Sequence, residues 1–146
     1  MNMKQDPARV YQSTDAYSGV MYADPHGLIT QMFDGAMTRI AQARGAIERK
    51  DVAAKGELIS HAINIIGSLE ACLDYEKGGD IARNLGGLYE YMILTLTRAN
   101  MDDDRDRLDE VIQLLLDIKA AWTQIGEQKQ AASAAQPEQK LSLQAG

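Results

Sequence analysis

Apolar residues recur at steps of three and four through most of this chain, and polar residues fill the gaps between them. Leu28, Met32, Ala36, Ile40, Ala43 and Ile47 form one such row. Ile59, Ala62, Ile66, Leu69 and Leu73 form a second. Ile81, Leu85, Leu88, Met92, Leu96 and Ala99 form a third, and Leu108, Val111, Leu115, Ile118, Trp122 and Ile125 a fourth. Such steps place the apolar side chains on one face of an α-helix. Four amphipathic helices joined by short turns predict an all-α, antiparallel up-down four-helix bundle.

Punctuation residues set the expected boundaries. Asp24-Pro25 reads as an N-cap followed by proline at the first helical position, where the missing N–H costs nothing. The first helix is expected over about 25–50. Asp51 caps a second, running to about residue 76. Lys77-Gly78-Gly79 reads as its stop, because glycine readily takes the left-handed conformation after a helix. Asp80 then caps a third helix to about residue 100. Asp102, Asp103 and Asp104 open a fourth, to about residue 127. This gives a bundle over 24–127. Residues 1–23 contain Val10, Tyr11, Tyr17, Val20, Met21 and Tyr22, which predicts a short helical cap packed on the bundle. Residues 128–146 are rich in Ala, Gln and Ser without sustained periodicity, which predicts a disordered tail.

Composition narrows the function classes. Of the 146 residues, 45% are apolar but only 5% aromatic, so the core is aliphatic. The net charge of −6 lacks the basic footprint of a nucleic-acid binder or of a protein docked on anionic membrane. No run approaches the roughly 18 uncharged apolar residues of a membrane span, so no membrane insertion is expected. Residues 1–9 lack the apolar stretch of a signal peptide, and Cys72 is the single cysteine. A cytoplasmic location is the expectation.

Candidate chemistry is thin. A di-iron bundle needs Glu-x-x-His on two helices, whereas Glu57 and His61 stand four apart and His26 falls at a helix start. Both histidines read as solvated or turn residues. Asp102, Asp104 and Asp106 mimic the start of a calcium loop, but Arg107 and Gln113 replace its required glycine and glutamate. Gly78-Gly79 and Gly86-Gly87 fit no phosphate-binding pattern. Gly86-Gly87, within a helix, reads as close helix packing, with close approach of a partner backbone as the alternative. Cys72 has no base nearby in sequence and reads as a small, partly buried thiol. No catalytic, cofactor or metal residue is assigned.

The apolar rows leave residues over. At about 100° per residue, Leu94 falls nearly opposite its row, with Tyr91 and Ile93 on its flanks. Leu116 lies well off the fourth row and Ile112 at its edge, while Ile63 and Ile65 bracket the second. By periodicity Ile63, Ile65 and Ile112 are core or bundle edge. Leu94 and Leu116 are the better candidates for contact with another protein.

Several blocks are familiar in type. Leu73-Asp74-Tyr75-Glu76-Lys77-Gly78-Gly79-Asp80-Ile81-Ala82-Arg83-Asn84-Leu85, continuing to Leu88-Tyr89-Glu90-Tyr91-Met92, resembles the signature of the flagellin export chaperones, the FliS family. Pro25-His26-Gly27-Leu28-Ile29, Met32-Phe33-Asp34-Gly35-Ala36, Ala62-Ile63-Asn64-Ile65-Ile66, Ala99-Asn100 and Trp122 are similar to the same family, over about residues 8–125. The resemblance implies a cytoplasmic, non-enzymatic chaperone without a cofactor. Its partner would be the disordered C-terminal segment of flagellin, which wraps the bundle and becomes partly helical. Premature polymerisation would be prevented and the subunit handed to the flagellar type III export apparatus, with export-gate proteins as further partners. Tyr11 stands where the family has an N-terminal tyrosine that covers part of the groove. The groove candidates are then Tyr11, Ile63, Ile65, Tyr91, Ile93, Leu94, Ile112 and Leu116. The alternatives are a self-associating helical adaptor, down to a homodimer, or a metal-binding bundle.

Overall fold

The computed structural model describes residues 25–145, with side chains from His26 to Ile125 and at Glu127. Those residues form four helices and no strand: α1 (Pro25–Glu48), α2 (Val52–Ala71), α3 (Tyr75–Asp102) and α4 (Arg105–Ala145). Each packs on its neighbour in sequence, and α4 closes the ring against α1. This is the antiparallel bundle that the periodicity predicts. The expected cap over 1–23 lies outside the described residues. α4 is helical backbone through Ala145, past the boundary of about 127 expected from the apolar row.

The turns are built by caps. After α1, Lys50 is left-handed at φ 59°. Its N–H donates to the Ile47 carbonyl at 3.0 Å, and that of Asp51 to Ala46 at 2.9 Å. This pair of bonds satisfies carbonyls that the helix end leaves open. Asp51 then accepts from the Ala54 N–H at 3.1 Å and starts α2. α3 ends the same way, with Asp103 at φ 52° and the Asp104 N–H donating to Ala99 at 3.1 Å.

The turn between α2 and α3 departs from expectation. α2 stops at Ala71, not near residue 76, and α3 starts at Tyr75, not near 80. Asp74 is the actual N-cap, accepting from the Lys77 N–H at 3.0 Å. Gly78-Gly79 therefore lies inside the start of α3 and does not end α2. Gly79, at φ 50° and ψ −125°, breaks the helix into a first turn and a long body. Only glycine adopts that conformation without strain.

The core is aliphatic, as composition implies. Ile40, Ile59, Ile66, Met92, Leu96, Leu108, Val111 and Leu115 are fully buried, joined by Phe33 and Tyr89. Each large side chain so buried contributes about 1.5–3 kcal/mol before entropy is counted. Three residues of the expected rows are instead exposed: Ile81 at 72%, Leu88 at 37% and Ile125 at 51%. Ile81 sits just after the break at Gly79, beyond the end of α2. Leu88 follows it by two turns on the same strip.

Candidate partner-binding surface

Ion pairs and hydrogen bonds fix which helix face looks where. Arg44 of α1 donates to Asp109 of α4 at 3.0 Å, and Lys119 of α4 to Asp34 of α1 at 2.6 Å. Ile112 and Leu116 lie between Asp109 and Lys119 at steps of three and four. They therefore line the α1–α4 edge, Ile112 half-buried and Leu116 45% exposed. The Tyr91 hydroxyl donates to the Glu110 carboxylate across the α3–α4 edge. That bond, which favours the protonated phenol, raises the Tyr91 pKa above its ordinary value. Tyr91 is 43% exposed and Leu94, three residues on, 48%. Ile81 and Leu88 extend this strip toward the start of α3.

Two other seams hold the remaining candidates. Ile65 faces α1, where its Cδ1 would lie 3.6 Å from a Cβ placed on Gly35. Beside it, Arg39 Nε donates to His61 Nδ1 at 3.2 Å. Ile63 shares a face of α2 with Glu70, seven residues on. Ile93 shares a face of α3 with Glu90, three residues back. Glu70 and Glu90 meet across the α2–α3 seam. Partial burial, with the hydrogen bond and charge of Glu90, holds the Glu70 carboxyl above its ordinary value. Ile63, Ile65 and Ile93 are half-buried and pack on the core.

The seven described candidates thus do not form one patch. They are spread over all four seams, and Tyr11 lies outside the described residues. The sequence reading missed Tyr75, Ile81, Leu88, Met101 and Ile125, which are all exposed. For Ile81, Leu88 and Ile125, the apolar period itself concealed them as core.

The possible chemical groups resolve as structure. His26 is half-buried at the start of α1: its ring stacks on Trp122 with centroids 4.4 Å apart, and the indole Nε1 donates to its carbonyl at 3.1 Å. His61 is exposed. The acids before α4 are paired, Asp102 with Arg107 at 2.9 Å and Asp103 with Lys55. No group of three or more potential metal ligands exists among the described residues. Cys72 is an exposed residue rather than a partly buried one, although shelter of its sulfur pushes the thiol pKa up. Tyr89, buried beside it, has its phenol pushed up to about 12 by burial and then by the thiol's charge. Gly86 is buried, and a Cβ there would lie 2.9 Å from the Tyr75 hydroxyl and 3.6 Å from Leu73 Cδ1. Gly87 faces open space, so only the first of the pair serves close packing.

The described residues thus form a four-helix bundle with aliphatic side chains exposed beside its seams. Comparison with known proteins is specific. Residues 7–129 match the model of the flagellar protein FliS family. The chain is 49% identical over 112 residues to the flagellar secretion chaperone FliSB of Pseudomonas aeruginosa, covering 77% of this chain and 89% of that one. It is 49% identical over 118 residues to the flagellar secretion chaperone FliS of Salmonella typhimurium, covering 80% and 87%. It is 32% identical over 120 residues to that of Bacillus subtilis, covering 82% and 86%. The chain belongs to the FliS family of flagellar secretion chaperones. Membership implies a chaperone rather than an enzyme. No described helix is long and apolar enough to cross a membrane.

Proposed function

We propose that this protein is a cytoplasmic export chaperone that binds the disordered C-terminal region of flagellin. It keeps that region from polymerising and assists its delivery to the flagellar type III export apparatus, where export-gate proteins are further partners. The observation that carries this reading is the strip of exposed apolar side chains along α3 (Ile81, Leu88, Tyr91 and Leu94) beside a fully packed core. A strip of that kind fits the apolar face of a partner helix. Ordering a disordered segment opposes binding, so a wide contact area is needed. Apolar positions on four seams suit a segment that wraps the bundle. The acidic surface serves solubility.

Calorimetry with a flagellin C-terminal peptide, followed by circular dichroism, tests this. Binding with gain of peptide helix is expected; no heat and no spectral change would overturn it. The same exposed strip could bury against a second copy of the chain. A stable oligomer in light scattering without flagellin would favour that self-associating adaptor.

A further inference from the structure

α3 carries a second seam, on the side turned away from the core. Asp80, Asn84, Gly87, Tyr91, Leu94 and Arg98 follow one another at alternating steps of four and three. At about 100° per residue they fall within one arc of about 80°. All six are exposed. Alternating steps of four and three are the spacing by which one helix lies along another.

Gly87 is the residue of this seam that the fold does not explain. It is helical, since Gly79 holds the one non-helical conformation inside α3. Glycine weakens a helix interior relative to alanine, and a Cβ at Gly87 would meet nothing within 4 Å. Its missing side chain leaves a gap in the seam one turn before Tyr91. The Tyr91 ring is 43% exposed and is held in place by its bond to Glu110. The seam therefore offers a gap and a fixed knob side by side. Its ends are charged. Asp80 pairs with Arg83 of its own helix yet keeps a side chain 88% exposed. Arg98 has no ion pair among the described residues.

These features are complementary to themselves. In a two-fold pair, residue i of one copy faces residue j of the other, and j faces i. For two antiparallel α3 helices with the axis at the level of Tyr89, Tyr91 of each copy faces Gly87 of the other, Leu94 faces Asn84, and Arg98 faces Asp80. Moving the axis to between Met92 and Ile93 sets Arg98 on Gly87 and Tyr91 on Leu94, and leaves the charged ends unmatched. A parallel arrangement sets Arg98 on Arg98.

We infer that the outer face of α3 binds a second copy of this chain, antiparallel and two-fold, with Tyr91 of each copy seated over Gly87 of the other and Arg98 paired with Asp80. One helix pair is a small contact, and the charge of −6 on each copy opposes approach. The dimer is therefore weak and reversible, unlike the stable oligomer of an adaptor. It does not rest on the flagellin reading, although Tyr91 and Leu94 are shared with that surface.

Sedimentation equilibrium of the full chain, without peptide, tests this. A monomer–dimer equilibrium with Kd on the order of 10–100 µM is expected. Arg98→Asp and Asp80→Arg should each weaken it about tenfold or more, because like charges then face each other at both ends. An equimolar mixture of these two single variants should associate as wild type does, because every facing pair is again opposite in sign. Gly87→Gln should also weaken the dimer by filling the seat of Tyr91. It should leave the melting temperature unchanged or higher, since the position faces open space and glutamine favours helix. A monomer up to millimolar concentration would overturn the inference. So would a dimer indifferent to the charge variants, or a mixture that associates no better than its components. If wild type is monomeric and Arg98→Asp weakens binding of the flagellin C-terminal peptide, the face belongs to flagellin and the dimer is overturned.

Discussion

Lys55 Nζ donates to the Asn100 carbonyl at 2.8 Å and to the Asp103 carboxylate, tying the first turn of α2 to the last turn of α3. Lys55 is only 8% exposed, and its ammonium serves as a remote C-cap for α3. Asp103 holds its left-handed conformation beside it. Lys55→Met keeps the packed stem and removes the donor. It should cost about 1–3 kcal/mol in denaturant unfolding, because the carbonyl and carboxylate lose a charged partner. A change below a few tenths would mean that water replaces the ammonium without loss.

Trp122 is the chain's single tryptophan, and it clamps the start of α1 through the His26 stack and carbonyl. Trp122→Phe retains most of the apolar contact but loses the indole N–H. It should cost about 1 kcal/mol, the net worth of one hydrogen bond. Local loosening of α1 residues 26–30 should exceed that of the Ile40 region in hydrogen exchange. Uniform loosening along α1 would show that Trp122 supports the bundle as a whole.

How much of this was visible in the sequence differs by feature. The four rows identified the helices because burial imposes a period of 3.6 residues. They could not tell Ile81 and Leu88 from core, since exposure at the α3–α4 edge leaves that period intact. They omitted Phe33 and Tyr89, which are buried beside the rows. Asp74 and Asp80 are equally good caps by residue type, and Gly78-Gly79 between them reads as a stop. The structure takes Asp74, with Tyr75 of the first turn lying over Gly86. Lys55 was concealed by its charge, which predicts solvent unless a partner from another helix is known. The spread of candidate contacts over four seams required the ion pairs that orient α4 on α1 and the Tyr91–Glu110 hydrogen bond that orients it on α3.

The exposed and half-buried candidates should respond differently to a charge. Leu94→Asp places a carboxylate in water and should change stability by no more than about 0.5 kcal/mol. Under the proposed function it should weaken binding of the flagellin C-terminal peptide about tenfold or more, the scale of a lost interface anchor. Ile63→Asp buries part of a charge against the core and should lower the melting temperature as well as binding. Undiminished peptide affinity in Leu94→Asp would remove the α3–α4 edge from the binding surface.

Glu70 and Glu90 supply a pH signature. An acid whose folded pKa is raised holds its proton longer in the folded state than in the unfolded one. Stability from this group is therefore fully present below the unfolded value near 4.5 and is lost as pH rises through the raised folded value. Above that range the Glu70 carboxylate meets the charge of Glu90 across the α2–α3 seam. Glu70→Gln should then raise stability at pH 7, by about 0.5 kcal/mol given partial exposure and salt screening. It should also flatten the decline above pH 4.5. Glu90→Gln should act in the same direction, because it removes the neighbour that raises Glu70. The double variant should gain less than the two single gains combined, since either substitution already abolishes the repulsion. Additive gains in denaturant titrations at pH 7 would show that the two carboxylates do not interact.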